Sequence, residues 1–246
     1  MAQTFTPRGH GAAHPPTSLG LDMRKLGMWA FLGSESLFFA TLITNFFVNR
    51  SSERADYCNG LTYADLAIGL TSVGAFILLM SSLTMVLALA ALRDGNRRMY
   101  RTWIVSTALL GTSFLCIQIY EFTEFALHGK GMSSNNFGAA FFALTGFHGT
   151  HVLIGVIWLF SLLFLRVGHN VKRPLEYVVG GQAGLRTHRE PTDGGAGIPV
   201  ELCGLYWHFV DLVWVFIFTL IYLLPMDDPC GEAHEALSAV SHLTVL

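Results

Sequence analysis

Trp207-His208-Phe209-Val210-Asp211-Leu212-Val213 lies inside a stretch from Gly204 to Pro225 that is otherwise apolar. An imidazole and a carboxylate, one helical turn apart, therefore share a segment of membrane-crossing length. A charged group at mid-bilayer costs at least about 2.5 kcal/mol on insertion scales, so such groups face a bundle interior, a partner or a water-filled cavity. Asp211 is thus a residue of function or assembly, and the segment that carries it is a transmembrane helix.

Four further segments read the same way. Apolar runs at 25–48, 66–92, 103–127 and 138–165 join the one at 204–224, in a chain that is 52% hydrophobic and only 13% charged. Each exceeds the roughly 20 helical residues that cross a hydrocarbon core. The runs are too long for barrel strands and lack their alternation, so the spans are helices. The expected fold is an all-α integral membrane bundle of five transmembrane helices. It occupies 24–226, between a polar N-terminal tail at 1–23 and an acidic tail at 227–246. No period of 20 to 50 residues marks a repeat architecture.

Residues 1–22 lack the apolar core of a cleaved signal peptide, so the first span serves as its own insertion signal. Orientation follows from the basic residues. Twelve of the 15 Lys and Arg, Arg24, Lys25, Arg93, Arg97, Arg98 and Arg101 among them, fall on one side; Arg50, Arg54 and Lys130 fall on the other. Basic loops stay in the cytoplasm, which puts the N-terminus inside and the C-terminus outside. The net charge of -2 says nothing further about partners, and no basic patch points to nucleic acid.

Cys58, Cys116, Cys203 and Cys230 show no metal or thioredoxin spacing. Cys58 and Cys230 both fall on the outside, where oxidation is permitted, and form a candidate disulfide. The loop at 169–198 is Gly- and Pro-rich and reads as a solvated connector.

Three spans each carry two ionisable residues at i and i+3: Glu121 with Glu124, His148 with His151, and His208 with Asp211; the first span adds Glu35. Counting about 1.5 Å per residue puts Glu35, His208 and Asp211 near the inner third, where the three are expected to meet. One reading of these residues is a di-metal bundle, although the Glu-x-x-His on two helices that such sites use is missing. A second is a bis-histidine haem held by His148 and His208. A third is a set of hydrogen bonds that hold the helices in register, at around 0.6 kcal/mol each. Gly111, Gly146, Gly149 and Gly155 would allow close helix approach, and Trp29, Trp103, Trp207 and Tyr222 fit interface anchors.

The chain resembles subunit III of the haem-copper oxidases, specifically cytochrome c oxidase subunit III. Four phrases carry the resemblance in family order: Ser34-Glu35-Ser36-Leu37-Phe38-Phe39; Gln118 through Glu121; Thr145-Gly146-Phe147-His148-Gly149-Thr150-His151-Val152 with Gly155; and Tyr206-Trp207-His208-Phe209-Val210-Asp211 with Val213-Trp214. The long form of the family has seven helices, and this chain is similar to the five-helix form that begins at the third. Half of the wall of the long form's lipid-holding cleft is then absent. Where the family often has a histidine run, this chain has Gly194-Gly195-Ala196-Gly197, yet Glu201 keeps the acidic position seven residues before His208.

The resemblance implies a multi-pass protein of a bacterial inner (plasma) membrane. It implies that Glu35 is the family's buried carboxylate, and that His148, His151, His208 and Asp211 form its polar core. It also implies a subunit with no redox centre of its own, haem and copper being carried by partner subunits. Such a subunit stabilises the catalytic subunit I, binds phospholipid and supports proton uptake while the complex reduces oxygen and pumps protons. A quinol oxidase or a nitric-oxide-reductase-associated homologue remains open. So does a stand-alone carrier or metalloenzyme that uses Glu35, His208 and Asp211 as its own site.

Overall fold

The computed structural model describes residues 23–50, 66–132, 134–164 and 197–223. Over these residues the chain forms α1 (Met23–Arg50), α2 (Ile68–Arg93), α3 (Arg97–Leu127), α4 (Asn136–Phe164) and α5 (Ile198–Ile217). The last helix runs on as a π-helical turn, Phe218–Leu223. All five are long and apolar enough to cross a membrane, and no strand occurs among the described residues. The expected all-α bundle of five spans is therefore present. The tails, most of the 169–198 loop, and both Cys58 and Cys230 lie outside the described residues, while Cys116 and Cys203 are free thiols.

Two helices start earlier than hydropathy alone places them. Asn96 caps α3 by accepting the Met99 N–H at 3.3 Å, so the helix includes the basic turn Arg97–Arg101. Pro199 opens α5, where its fixed φ and missing N–H suit a first turn. Capping chemistry sets these ends, and the change in hydropathy does not. The α2 and α3 C-termini close on Gly95 and Gly129, both at φ 72°. Paired bonds from Asn96 to Ala91 and from Lys130 to Phe125 complete the motif that satisfies the last carbonyls.

The short turn after α2 folds it back along α3, and α4 packs on α3. α1 lies at the periphery, against α4 and α5. α5 packs directly on α1, α2 and α4, but its backbone does not touch that of α3. The space between α3 and α5 is filled by the indole of Trp207, which is 1% exposed. A β-carbon at Gly111 of α3 would sit 2.5 Å from this ring, and one at Gly155 of α4 would sit 2.9 Å from it. The indole N–H donates to Ser81 Oγ of α2 at 2.9 Å. One side chain of α5 thus joins three other helices.

Trp207 and Tyr222 are therefore not interface anchors, as their place near the ends of the apolar run had suggested. The earlier start of α5 moves Trp207 inward, and the π-helical turn rotates Tyr222 into the core, where it is 2% exposed. Trp29, 62% exposed at the start of α1, does fit an anchor. The outer faces of α2 (Val73, Phe76, Leu83) and α4 (Leu153, Ile157, Phe160) are apolar, as lipid contact requires.

Gly111→Ala forces a methyl group against Trp207 and Val156, and overpacking of this kind costs about 1–3 kcal/mol. Thermal melting of the purified protein is expected to show a lower Tm for Gly111→Ala. Gly27→Ala, where nothing lies within 4 Å, is expected to melt like the wild type.

Candidate functional site

Glu35 of α1 and His151 of α4 meet between the two helices. Glu35 lies twelve residues beyond Met23 and His151 thirteen before Phe164, so the antiparallel helices bring them to one depth. His151 Nε2 is 3.2 Å from Glu35 Oε2, and its Nδ1 is 2.7 Å from the Phe147 carbonyl oxygen. A carbonyl only accepts, so Nδ1 carries hydrogen. The Nε2 contact then needs one proton, either on the imidazole beside a carboxylate or on the carboxyl beside a neutral ring. In both forms the pair is neutral as a unit, which suits its membrane setting. Tyr206 of α5 donates its hydroxyl to the His151 carbonyl at 3.0 Å and ties the third helix to this contact.

His148, one turn earlier on the same helix, bonds to α5 and meets α1 only through the edge contact of its ring with Phe39. It is fully buried, with Nε2 3.1 Å from the Val210 carbonyl and its ring stacked on Trp214 at 4.8 Å. Nδ1 has no hydrogen-bond partner. His208 places Nδ1 2.6 Å from Ser82 Oγ of α2, and Asp211 lies beside the same serine. Ser82 thus takes the position that Glu35 was expected to fill.

Toward the other end of the bundle, the Thr71 hydroxyl of α2 lies 2.9 Å from Glu121 Oε1 of α3. Gln118, one turn earlier, donates Nε2 to the Thr145 carbonyl of α4 at 2.7 Å. Gly149 leaves room for this amide, since a β-carbon there would sit 2.9 Å from Gln118 Oε1. Glu124 is exposed and lies 3.8 Å from His128. Residues at i and i+3 differ by about 60° around a helix axis, enough to bury one member of a pair and expose the other. The Glu pair is split in this way, whereas His148 is fully buried and His151 half-buried against Glu35.

Glu201, in the first turn of α5, pairs with Lys25 of α1 and, at 3.3 Å, with Arg93 of α2. Half-exposed pairs of this kind contribute about 0–1 kcal/mol. They also edge a groove of about 280 Å³ that runs past Trp29 and Gly204 to His208. Two cations share one carboxylate, so the mouth of the groove has a net positive charge.

The expected meeting of Glu35 with His208 and Asp211 does not occur, because α1 packs mainly on α4 and turns Glu35 toward His151. The arrangement is a series of two-residue links at different depths. Among the described residues, no three His, Cys, Asp or Glu side chains gather closely enough to share a metal ion. Ser81, Ser82 and Thr71 were not anticipated as partners. The signal was available, since Ser81-Ser82 interrupts an otherwise apolar run in α2.

Fold and site together define a helical membrane subunit whose polar side chains connect its own helices. The chain belongs to the cytochrome c oxidase subunit III family: the family's profile matches residues 10–175. It is similar to cytochrome c oxidase subunit 3 of Alkalihalophilus pseudofirmus, with 37% identity over 81% of this chain and 85% of that protein. The protein of the same name from Bacillus subtilis is 33% identical, over 92% of this chain and 98% of its own length. Quinol oxidase subunit 3 of Bacillus subtilis is also 33% identical, over 87% and 95%. The protein is thus a subunit III of a multi-subunit haem-copper oxidase.

In Glu35→Gln the amide can still donate to His151 Nε2, so assembly and haem content of the purified complex are expected to match the wild type. Glu35→Leu leaves that nitrogen without its bond and is expected to cost about 1 kcal/mol in melting of this chain within the complex. Loss of the complex in Glu35→Gln would show that the ionisable proton itself is a structural requirement.

Proposed function

We propose that this chain is an accessory subunit that carries no redox centre and serves a haem-copper catalytic subunit. It stabilises that subunit, binds phospholipid and supports proton uptake, while haem and copper remain on its partners. The supporting observation is that the ionisable side chains form separate helix-to-helix links at several depths, as expected of a scaffold.

The end that carries Lys25, Arg93, Arg97 and Arg101 faces the cytoplasm in this proposal, by the rule that basic loops stay inside. The membrane is the plasma membrane of a bacterium. On that side the groove offers cations for a phosphate and an apolar wall for an acyl chain. His208, at the back of the groove, and the Glu35–His151 pair are the groups that hold or exchange protons. Cytochrome c is the proposed electron donor and quinol the alternative, since related proteins carry both names.

The test is purification through a tag on this chain in mild detergent, with an optical spectrum, mass identification of co-purifying subunits and lipid analysis. Haem absorbance is expected only with a large co-purifying subunit. Retained phospholipid is expected to fall when Lys25 and Arg93 are both changed to Gln. A lone polypeptide with its own haem spectrum would contradict the proposal.

A further inference from the structure

A small cavity lies between α2, α3 and α5, walled by Thr71, Gly74, Phe114, Gln118, Glu121 and Trp214. Its volume of about 10 Å³ is close to what one water molecule occupies. One buried polar atom on this wall, the Trp214 indole nitrogen, is a donor with no partner; the Gln118 amide faces α4, with Oε1 against Gly149 and Nε2 on the Thr145 carbonyl. Glu121 adds a carboxylate bonded to Thr71 through Oε1.

These orientations are fixed. Gln118 Nε2 must face the Thr145 carbonyl, which only accepts, so the amide cannot flip without losing that bond. The Trp214 ring is held by His148 stacked on it and by the edge of Phe114, each with centroids 4.8 Å away. An unbonded donor and a carboxylate around a space of one-water size are complementary to a molecule that both accepts and donates. Apolar cavities stay dry, whereas a polar one with two to four partners holds water.

We propose that this cavity is a binding site for one internal water molecule, which accepts from Trp214 Nε1 and donates to Glu121. The water links α3 to α5 at a second level, away from Trp207, across helices whose backbones do not touch.

The test is an experimental map of the assembled oxidase at a resolution where buried waters of the catalytic subunit are visible. A peak about 2.7–3.2 Å from Trp214 Nε1 and from Glu121 is expected, and it should be lost in Trp214→Phe. No peak at the contour that shows the other buried waters would overturn the proposal. Gly74→Ala gives an independent readout. Its β-carbon would lie 3.5 Å from the Phe114 ring, so the methyl group fits and takes up cavity space. Displacing a bound water is expected to lower the Tm of this chain in the complex by about 2–4 °C, despite the better helix propensity of Ala. A Tm equal to or above that of the wild type would mean a dry cavity and would overturn the proposal.

Discussion

The indole of Trp207 is the constraint on which the bundle depends. It lies between Gly111 and Gly155, with its N–H on Ser81, so three helices are positioned against one rigid side chain of a fourth. In a membrane no hydrophobic force drives helices together, and close packing with a few hydrogen bonds has to hold them. Glycine is required at both contacts because a β-carbon would enter the ring. Tyr206, next to Trp207, closes on Gly155 and reaches the His151 carbonyl, which carries the same geometry outward to α1.

The ionisable residues elaborate this arrangement. Glu35–His151 joins α1 to α4, Ser82–His208 joins α2 to α5, Thr71–Glu121 joins α2 to α3, and Glu201 gathers α1, α2 and α5 at the basic end. Each link is modest in energy but specific in partner, which fixes helix rotation and depth. A subunit built in this way offers its neighbours a rigid surface.

The five spans and the all-α class were legible because long apolar runs and the distribution of basic residues are one-dimensional signals. Buried ionisable residues were legible for the same reason: Asp211, His148 and Glu121 stand out against apolar neighbours. Partner choice was not. Depth counting set Glu35 level with His208 and Asp211, whereas it is level with His151, and the rotation of α1 toward α4 is set by packing, which no linear pattern records. The burial of Trp207 was also hidden, because the N-terminal turns of α5 carry Glu201 and Pro199 and look like loop. Family resemblance pointed to Glu35, His148, His151, His208 and Asp211 but not to the serine and carbonyl that His208 and His148 contact.

Melting the assembled complex with Trp207 changed to Phe shows whether the indole holds the bundle together. Phe lacks the N–H that bonds Ser81 and leaves part of the space between Gly111 and Gly155 unfilled. This chain is expected to unfold or dissociate at a clearly lower temperature while the haem spectrum of the complex at low temperature stays unchanged. Melting indistinguishable from the wild type would contradict the account, since the helices would then be held without the indole that joins them.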